Sequence, residues 1–312
     1  MYFGSGTTFE DAVGIQENVA LTGPSNATRA SGAPEQVNPL DRAEATASAM
    51  VITQDNSPDP AGEAAIASQG GEAQLLSVQS LCAWYGAAQI LFDVNFYVKR
   101  GEVVALMGRN GAGKSTTMKA LMGLLEKRSG TLRFMADDIS KEATHRIAEA
   151  GLGYVPEDRR IFTDLTVLEN LEVGRQKARR WPDGSPAPSW TVQQLFALFP
   201  NLAEMPNRPG GQMSGGEQQM LTVARSLMGN PFLVLLDEPS EGVAPVIVEQ
   251  MVQMLLTLKQ QGVSILLSEQ NLHFARLVCD RAYVLEKGQI RFNGTMAELD
   301  ANEHVRQSYL SV

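Results

Sequence analysis

The sequence predicts an α/β fold in which buried strands and helices surround a phosphate-binding loop. Short strand-like segments separated by turn residues begin at Leu75. The third of these segments leads directly into a glycine-rich loop and an apolar helix, Gly108–Leu125. A second apolar strand, Pro231–Pro239, ends in two acidic residues. Together these observations are typical of an α/β protein with a phosphate site at its strand ends.

The bulk composition is typical of a soluble globular protein with one or two domains, since the 312 residues are 44% hydrophobic and 20% charged. No apolar run approaches the roughly 18–20 residues that a membrane-spanning helix needs. Residues 1–30 lack the features of a secretory signal. The two cysteines, Cys82 and Cys279, lie far apart without metal-site spacing. We therefore expect reduced thiols and a cytoplasmic location.

Residues 1–74 differ in composition from the rest of the chain. They are rich in Ala, Ser, Gly, Pro, Asn and Thr. Their net charge is −8, whereas the net charge of the whole chain is −9. Because such a segment buries too little apolar surface to offset its ordering entropy, we predict a disordered N-terminal extension. A misassigned start codon is the alternative explanation. The remaining residues are nearly neutral, which argues against a nucleic-acid-binding protein.

The first elements are three predicted strands, LLSVQSLCAWYG, ILFDVNFYVKRGE and EVVALMG, and a loop follows the third. That loop, GRNGAGKST, has the pattern G-x-x-x-x-G-K-S/T, with Gly108, Gly113, Lys114 and Ser115 at the fixed positions. The glycines let backbone N–H groups surround an anion, and the following helix directs its positive end toward it. We expect Lys114 to reach the β- and γ-phosphates and Ser115 to hold Mg²⁺.

The strand LVLLDEP provides the acids that such a site requires. Two carboxylates at the end of a buried strand are costly unless a cation or a water molecule uses them. In a phosphate-loop protein, Asp237 is expected to help hold Mg²⁺. Glu238 is expected to polarise the attacking water as a general base.

A second anion site is predicted between these two motifs, where MSGGEQQ opens a helix. Apolar residues recur at helical spacing from Met220 to Met228, and Gly229–Pro231 ends the pattern. Ser214, Gly215 and Gly216 leave bare N–H donors at the N-terminus of this helix. The chain thus has two phosphate sites but one set of catalytic acids.

In this order and spacing, the motifs resemble those of the ATP-binding-cassette (ABC) family, over almost all of Leu75–Val312. GRNGAGKST looks like its Walker A motif, MSGGEQQ like its signature motif, LVLLDEP like its Walker B motif and SEGVAP like its D-loop. The resemblance implies a RecA-like P-loop NTPase core with an antiparallel β subdomain and a helical subdomain at about residues 160–228. Residues 75–312 are then the nucleotide-binding domain.

The resemblance also implies that the ligands are ATP and Mg²⁺. Tyr85 lies where the family stacks an aromatic ring on adenine. The other expected nucleotide contacts are Gly108, Arg109, Asn110, Gly111, Ala112, Gly113, Lys114, Ser115, Thr116, Ser214, Gly215 and Gly216. The expected metal ligands are Ser115, Asp237 and Glu157, and the expected catalytic residues are Glu238, Gln270 and Glu157.

Two positions depart from the common family pattern. Gln270, in SILLSEQN, occupies the position of the switch histidine; its amide can donate to the γ-phosphate but cannot become cationic. His273 follows about one helical turn later and is not expected to reach the same point. Glu157 replaces the usual glutamine of the Q-loop, and its carboxylate can still ligate Mg²⁺ or its water. Both substitutions resemble those of the branched-chain amino acid subgroup.

Longer segments are similar to the ATP-binding subunits of branched-chain amino acid uptake systems, namely VPEDRRIFTDLTVLENL, DEPSEGVAPVIVEQ and ANEHVRQSYL. This implies an ATPase that drives import through separate transmembrane permease subunits, on the inner face of the plasma membrane. A second ATPase subunit, either another copy or a related chain, is expected as a head-to-tail partner. An extracytoplasmic solute-binding protein is an indirect partner, and nucleic acid is not expected. The alternatives are a urea or short-chain amide importer, a soluble non-transport ATPase and a binding-only regulatory cassette.

Two other segments are interpreted structurally. The basic run Gln176–Gly184, which contains Trp181, is predicted to be an exposed edge of the helical subdomain. The segment VLEKGQIRF is predicted to be a hairpin with Lys287 and Gly288 at its turn. Only short helical patterns follow it, so no separate C-terminal regulatory domain is expected.

Overall fold

The computed structural model describes residues 74–310. Of the predicted N-terminal extension, only Gln74 falls in this range, and it is already the first residue of a strand. The prediction for residues 1–73 therefore lies outside the described residues. The strands are β1 Gln74–Tyr85, β2 Ala88–Lys99, β3 Val103–Met107, β4 Lys127–Phe134, β5 Asp137–Asp138, β6 Leu152–Val155, β7 Leu233–Asp237, β8 Ser264–Glu269, β9 Arg281–Glu286 and β10 Gln289–Thr295.

The helices occur mainly between the strands of the central sheet. They are α1 Lys114–Leu121, α2 Thr144–Ala150, α3 Val167–Gly174, α4 Val192–Leu198, α5 Pro200–Ala203, α6 Gly215–Leu227, α7 Pro245–Gln260, α8 Leu272–Val278, α9 Met296–Ala301 and α10 Glu303–Val305. A 3₁₀ turn at Gly210–Gln212 and a π turn at Arg306–Leu310 complete the regular structure of the described range.

The central sheet has six strands in the order β10-β9-β3-β8-β7-β6. All neighbours are parallel except the β9–β10 hairpin. Every residue of β3, β7 and β8 is buried, as expected for strands covered on both faces. Alternate residues point to opposite faces: Val103 and Met107 join one apolar cluster, and Val104 and Leu106 join the other.

A second, antiparallel sheet has the order β2-β1-β4-β5. It carries the first two predicted strands, and the third predicted strand is β3 of the central sheet. The predicted α/β fold with an antiparallel β subdomain is therefore confirmed. The strand pattern of β4 was not identified in the sequence, because Lys127–Phe134 contains five polar residues and a glycine.

The span of residues 160–228 contains four helices, α3 to α6. Three of them begin with a capping box. In each, the side chain of the N-cap Thr or Ser accepts from the backbone N–H three residues later, and the Glu or Gln at that later position accepts from the N-cap N–H. The predicted apolar helix is α6, which ends at Leu227, shortly before Gly229–Pro231. The stop signal in the sequence was thus correct.

The interpretation of Trp181 as part of an exposed edge is wrong. Its side chain is only 5% exposed and belongs to the core cluster that also contains Phe232. The two rings are 4.7 Å apart at their centroids, and the guanidinium of Arg100 lies 4.0 Å from the Trp181 ring centre. Lys177, Arg180 and Asp183 in the run are exposed and Arg179 is half-buried, whereas the Trp181 ring packs in the core.

The C-terminal part agrees with the sequence interpretation. The predicted hairpin is β9–β10, and Lys287 and Gly288 at its turn both have positive φ angles, as a two-residue hairpin turn requires. The short elements α9 and α10 follow it. Within residues 74–310, the search for helices able to span a membrane finds none.

Candidate nucleotide site

The phosphate-binding loop joins the carboxyl end of β3 to the N-terminus of α1. Gly113 has a φ of 110°, a left-handed conformation that side chains rarely adopt. A Cβ atom there would also lie 2.8 Å from Cδ2 of Leu91 on β2. The glycine is therefore required both by backbone conformation and by the close approach of the β subdomain. In the same loop Arg109, Asn110 and Gly111 are exposed, and the other predicted contacts are buried or half-buried: Gly108, Ala112, Lys114, Ser115 and Thr116.

Lys114 is 2% exposed, and its cation is held between the loop and an acid. Its Nζ donates to the carbonyl oxygens of Gly108 at 2.8 Å and Arg109 at 3.1 Å. The same Nζ lies 2.8 Å from Oε1 of Glu238. The structure thus brings together the predicted phosphate-binding lysine and the predicted general base.

Asp237 receives three hydroxyl hydrogen bonds at the carboxyl end of β7. Its Oδ1 accepts from Ser115 at 3.1 Å and from Ser268 at 2.6 Å, and its Oδ2 accepts from Tyr154 at 3.2 Å. Burial raises the pKa of Asp237, and the three hydrogen bonds act against that shift. These donors stabilise a charged carboxylate that is 1% exposed.

The residues at this point fit Mg²⁺. The hydroxyl of Ser115 and the carboxylate of Asp237 are adjacent, and Mg²⁺ commonly takes one or two protein oxygens together with substrate phosphates and water. Residues 74–310 contain no cluster of three or more His, Cys, Asp and Glu side chains that would form an all-protein metal cage. The oxygen pair therefore suits a cation that arrives with a phosphate ligand.

Glu238 is the ionised member of a carboxyl pair. It has a positive φ of 46°, and its N–H donates to the carbonyl and the hydroxyl of Ser268, each at 3.1 Å. Burial favours its neutral form, but hydrogen bonds with Glu241 and Lys114 outweigh burial and hold the pKa of Glu238 below its usual value. The hydrogen bond with Glu238, and then burial, raise the pKa of Glu241 to about 7. An ionised Glu238 is what a general base requires.

Two other predicted residues, Glu157 and Gln270, are exposed. The charge of Glu157 contributes to the raised pKa of Glu241, which places Glu157 within electrostatic range of the acids. The side-chain amide of Gln270 makes no hydrogen bond within the described range. Its neighbour Asn271 caps α8 by accepting from the N–H of Phe274 at 3.1 Å.

Tyr85 lies at the tip of the β1–β2 hairpin, paired with Ala88, and is 47% exposed. Leu91 of the same hairpin packs on the phosphate-binding loop, so the β subdomain contacts that loop. An exposed aromatic ring in this place is available for stacking on a base.

The predicted second anion site is at the N-terminus of α6. Ser214 caps this helix with Glu217, whose Oε2 accepts from the Ser214 N–H at 2.6 Å. The next two positions are closely packed: a Cβ at Gly215 would lie 2.8 Å from Nη1 of the flexible Arg159 side chain, and one at Gly216 would lie 2.7 Å from Cγ1 of Ile247. Among the described residues, none of these three hydrogen-bonds the loop 108–116. No direct hydrogen bond therefore joins the two predicted phosphate-binding motifs within the described part of the chain.

Sequence reasoning missed two residues that contact the acids. Tyr154 is on β6, and nothing in its local pattern distinguishes it from an ordinary strand tyrosine. Ser268 carried a weak signal, since it is a hydroxyl within the fully buried strand β8. Cross-strand pairing of Ser268 with Asp237 turns that polar side chain toward the site.

The chain is similar in sequence to ATP-binding proteins of transport systems. The family model described as ABC transporter matches residues 91–241. The high-affinity branched-chain amino acid transport ATP-binding protein BraG of Pseudomonas aeruginosa is 42% identical over 238 residues, 76% of this chain and 99% of BraG. The lipopolysaccharide export system ATP-binding protein LptB of Haemophilus influenzae is 32% identical over 244 residues, 76% of this chain and 97% of LptB.

The fold is similar to that of solved cassettes. The crystal structure of a nucleotide-free ATP-binding cassette from an ABC transporter matches with a TM-score of 0.63 and 25% sequence identity. The match covers 77% of this chain and 99% of that chain. The similarity in fold therefore extends over essentially the whole of that cassette.

Proposed function

Because the chain belongs to the ABC transporter family, whose ATP-binding domain is an ATPase, we propose that it powers an importer of branched-chain amino acids or similar small polar solutes. The observation that carries the ATPase chemistry is the convergence of Lys114, Ser115, Asp237 and Glu238 at one edge of the central sheet. The 42% identity to BraG supports the choice of solute class.

Lys114 and Glu238 are proposed to exchange partners when ATP binds. In this structure the ammonium group of Lys114 is paired with the Glu238 carboxylate. Once Lys114 contacts the β- and γ-phosphates, that carboxylate is free to accept the proton of the attacking water. The lysine then stabilises the negative charge that develops on the transferred phosphoryl group.

The hydroxyl of Ser115 and the carboxylate of Asp237 are proposed to hold Mg²⁺, with Glu157 as a further oxygen ligand, directly or through water. The ion would supply electrostatic stabilisation of phosphate charge. Ser268 and Tyr154 keep the Asp237 carboxylate oriented by their hydrogen bonds.

The exposed amide of Gln270 is proposed to donate to the γ-phosphate, and Tyr85 to stack on adenine. Both side chains are exposed, so neither has to break a buried contact to reach a ligand. Gln270 follows Glu269 on β8, next to the strand that ends in Asp237.

Among the described residues, Ser214–Gly216 makes no hydrogen bond to the loop Gly108–Thr116 of the same chain, as a head-to-tail dimer would require. In such a dimer the N-terminus of α6 from one subunit contacts the nucleotide held by the other. The partner is a second copy or a related chain. We place the dimer on transmembrane permease subunits at the inner face of the membrane, with a solute-binding protein acting on the far side.

Solute uptake tests the proposal. In the source organism, deletion of the gene should abolish high-affinity uptake of labelled leucine, isoleucine and valine. The wild-type chain should restore uptake, and the Glu238→Gln variant should not. Loss of urea or short-chain amide uptake instead would assign that alternative substrate class. Co-purification with ribosomes or DNA ends, and with no membrane subunit, would exclude a transport function.

A further inference from the structure

Glu269 is a buried acid with no assigned role, although it ends β8 beside the candidate site. Its side chain is 2% exposed. Oε1 accepts from the N–H of Ser240 at 3.1 Å. Oε2 accepts from the N–H groups of Gln270 and Asn271, each at 3.2 Å. One carboxylate thus binds two separate loops, one with each oxygen.

No Lys, Arg or His of residues 74–310 lies within ion-pair distance of Glu269. A buried carboxylate without a cation is costly, and peptide N–H groups are here its compensating partners. Burial raises the pKa of Glu269, and its hydrogen bonds with Ser240 and Asn271 act in the opposite direction. An apolar side chain would fill the same space at lower cost but would leave these N–H groups without an acceptor, so the two carboxyl oxygens indicate that the loops require them.

The two loops are the segments that follow the acids and the switch position. Ser240 comes two residues after Glu238, and Gln270 comes directly after Glu269. The strands β7 and β8 are already paired up to Asp237 and Ser268, and the Glu238 N–H donates to Ser268. The backbone pairing between β7 and β8 ends at this point. Beyond it, the Glu269 carboxylate accepts hydrogen bonds from the two segments that follow these strands.

We propose that Glu269 is a positioning residue that fixes Gln270 and the loop starting at Ser240 relative to the general base. It would act through Gln270, so that the amide meets the γ-phosphate while Glu238 faces the water. The inference rests on the roles proposed above for Glu238 and Gln270. Beyond those roles, it assigns to Glu269 the link between the loop at Ser240 and the loop at Gln270, which neither Glu238 nor Gln270 provides.

The test uses Glu269→Gln, which keeps the size of the side chain and one acceptor oxygen. The NH₂ group of the glutamine replaces the second acceptor oxygen. It is a donor that would face a backbone N–H donor, so the hydrogen bond at that position is lost. In the assembled transporter we expect kcat for ATP hydrolysis to fall about tenfold, as for loss of a bond to a charged group, with KM for ATP within about twofold. Glu126→Gln is the matched control, since Glu126 is exposed and makes no hydrogen bond or ion pair within residues 74–310.

A double-mutant cycle distinguishes positioning from mere structural support. If Glu269 acts through Gln270, Glu269→Gln combined with Gln270→Ala should be no slower than Gln270→Ala alone. The inference would be overturned if the rate losses of the two single variants multiplied in the double variant. An unchanged kcat per folded molecule in Glu269→Gln would overturn it as well. ATP binding and the Glu238→Gln phenotype are measured on the same preparations, so failure of the ATPase assignment itself would be seen separately.

Amide hydrogen exchange provides a readout that does not depend on activity. In the wild-type full chain, the N–H groups of Ser240, Gln270 and Asn271 should be protected although these residues lie in loops. In Glu269→Gln at least one of the two loops should exchange faster. Unprotected amides in the wild-type chain would contradict the proposal, even if the variant does not fold.

Discussion

The Glu238 carboxylate pairs with the Lys114 ammonium group and with the carboxyl group of Glu241. Glu238→Gln should leave ATP binding intact and slow hydrolysis at least about 100-fold, because the proton acceptor is lost. Fluorescent ATP binding and phosphate release in the assembled transporter measure the two effects. Unchanged turnover would assign the base elsewhere, with Glu157 as the next candidate.

Gln270 and Asn271 are neighbours with separable roles. Gln270→Ala should lower the rate of hydrolysis roughly tenfold to hundredfold if its amide bonds the γ-phosphate. Asn271→Ala should instead lower the free energy of unfolding by about 1 kcal/mol, since Asn271 is the N-cap of α8. Melting temperature and turnover should be measured on both variants. A normal rate in Gln270→Ala would refute the γ-phosphate contact.

Glu241 predicts a pH-dependent contribution to stability. Because its pKa is raised to about 7 in the folded chain, the folded chain keeps a proton that the unfolded chain releases near its ordinary pKa. This stabilising contribution is complete at low pH and is lost as the pH rises through about 7. Melting temperatures from pH 5 to 8 should fall more steeply for the wild type than for Glu241→Gln. Parallel curves would show that Glu241 does not hold the proton.

The sequence predicted those site residues that lie within one motif. Lys114 and Ser115 follow from glycine spacing, and Asp237 and Glu238 from two acids that end a buried strand. Tyr154 and Ser268 depend on which strands are neighbours and in which register they pair. Such contacts between separate strands are not encoded in a local pattern, so they required the structure.

At the scale of elements, the segment around Trp181 shows how composition misleads. Three Arg and Lys residues within Gln176–Arg180 favour exposure, and two of them are exposed. The ring that follows them packs on Phe232, because the turn Trp181–Ser185 folds back by a hydrogen bond of 2.8 Å. Elements with uniform apolar runs, such as β3 and β7, were predicted correctly since burial on both faces leaves no ambiguity.

Trp181→Ala should lower the free energy of unfolding by about 3–5 kcal/mol, as removal of a large buried side chain usually does. The matched variant Arg180→Ala removes an exposed side chain from the same segment and should change stability by no more than about 0.5 kcal/mol. Urea unfolding measures both. Similar small losses in the two variants would mean that the segment is not fastened to the core.

At the scale of the whole molecule, the chain carries two proposed phosphate-binding motifs on different elements. The loop Gly108–Thr116 lies beside the acids Asp237 and Glu238 at the end of β7, whereas the N-terminus of α6 carries only a cap and two glycines. Both motifs, and the head-to-tail dimer that their number implies, were expected from the sequence and its family resemblance. The structure adds that, among the described residues, no hydrogen bond joins the two motifs.

The proposed head-to-tail arrangement predicts that a change at Ser214 acts only in the assembly. Ser214→Asp keeps a good helix cap, because Asp caps as well as Ser, and it adds a negative charge where a phosphate is expected. The isolated chain should bind ATP as the wild type does, since in this arrangement Ser214 contacts only the nucleotide held by the partner. In the assembled transporter, hydrolysis should be largely lost because the added charge repels the nucleotide held by the partner.

Two comparisons make this prediction decisive. Ser214→Thr retains the hydroxyl and the cap, so it should keep most of the transporter activity. Lys114→Ala should abolish ATP binding already in the isolated chain, because its cation is part of the loop that holds the phosphates. Fluorescent ATP titration of the isolated chain and phosphate release by the transporter provide the two readouts. If Ser214→Asp weakened ATP binding by the isolated chain, both motifs would serve one nucleotide in the same subunit, and the head-to-tail arrangement would be wrong.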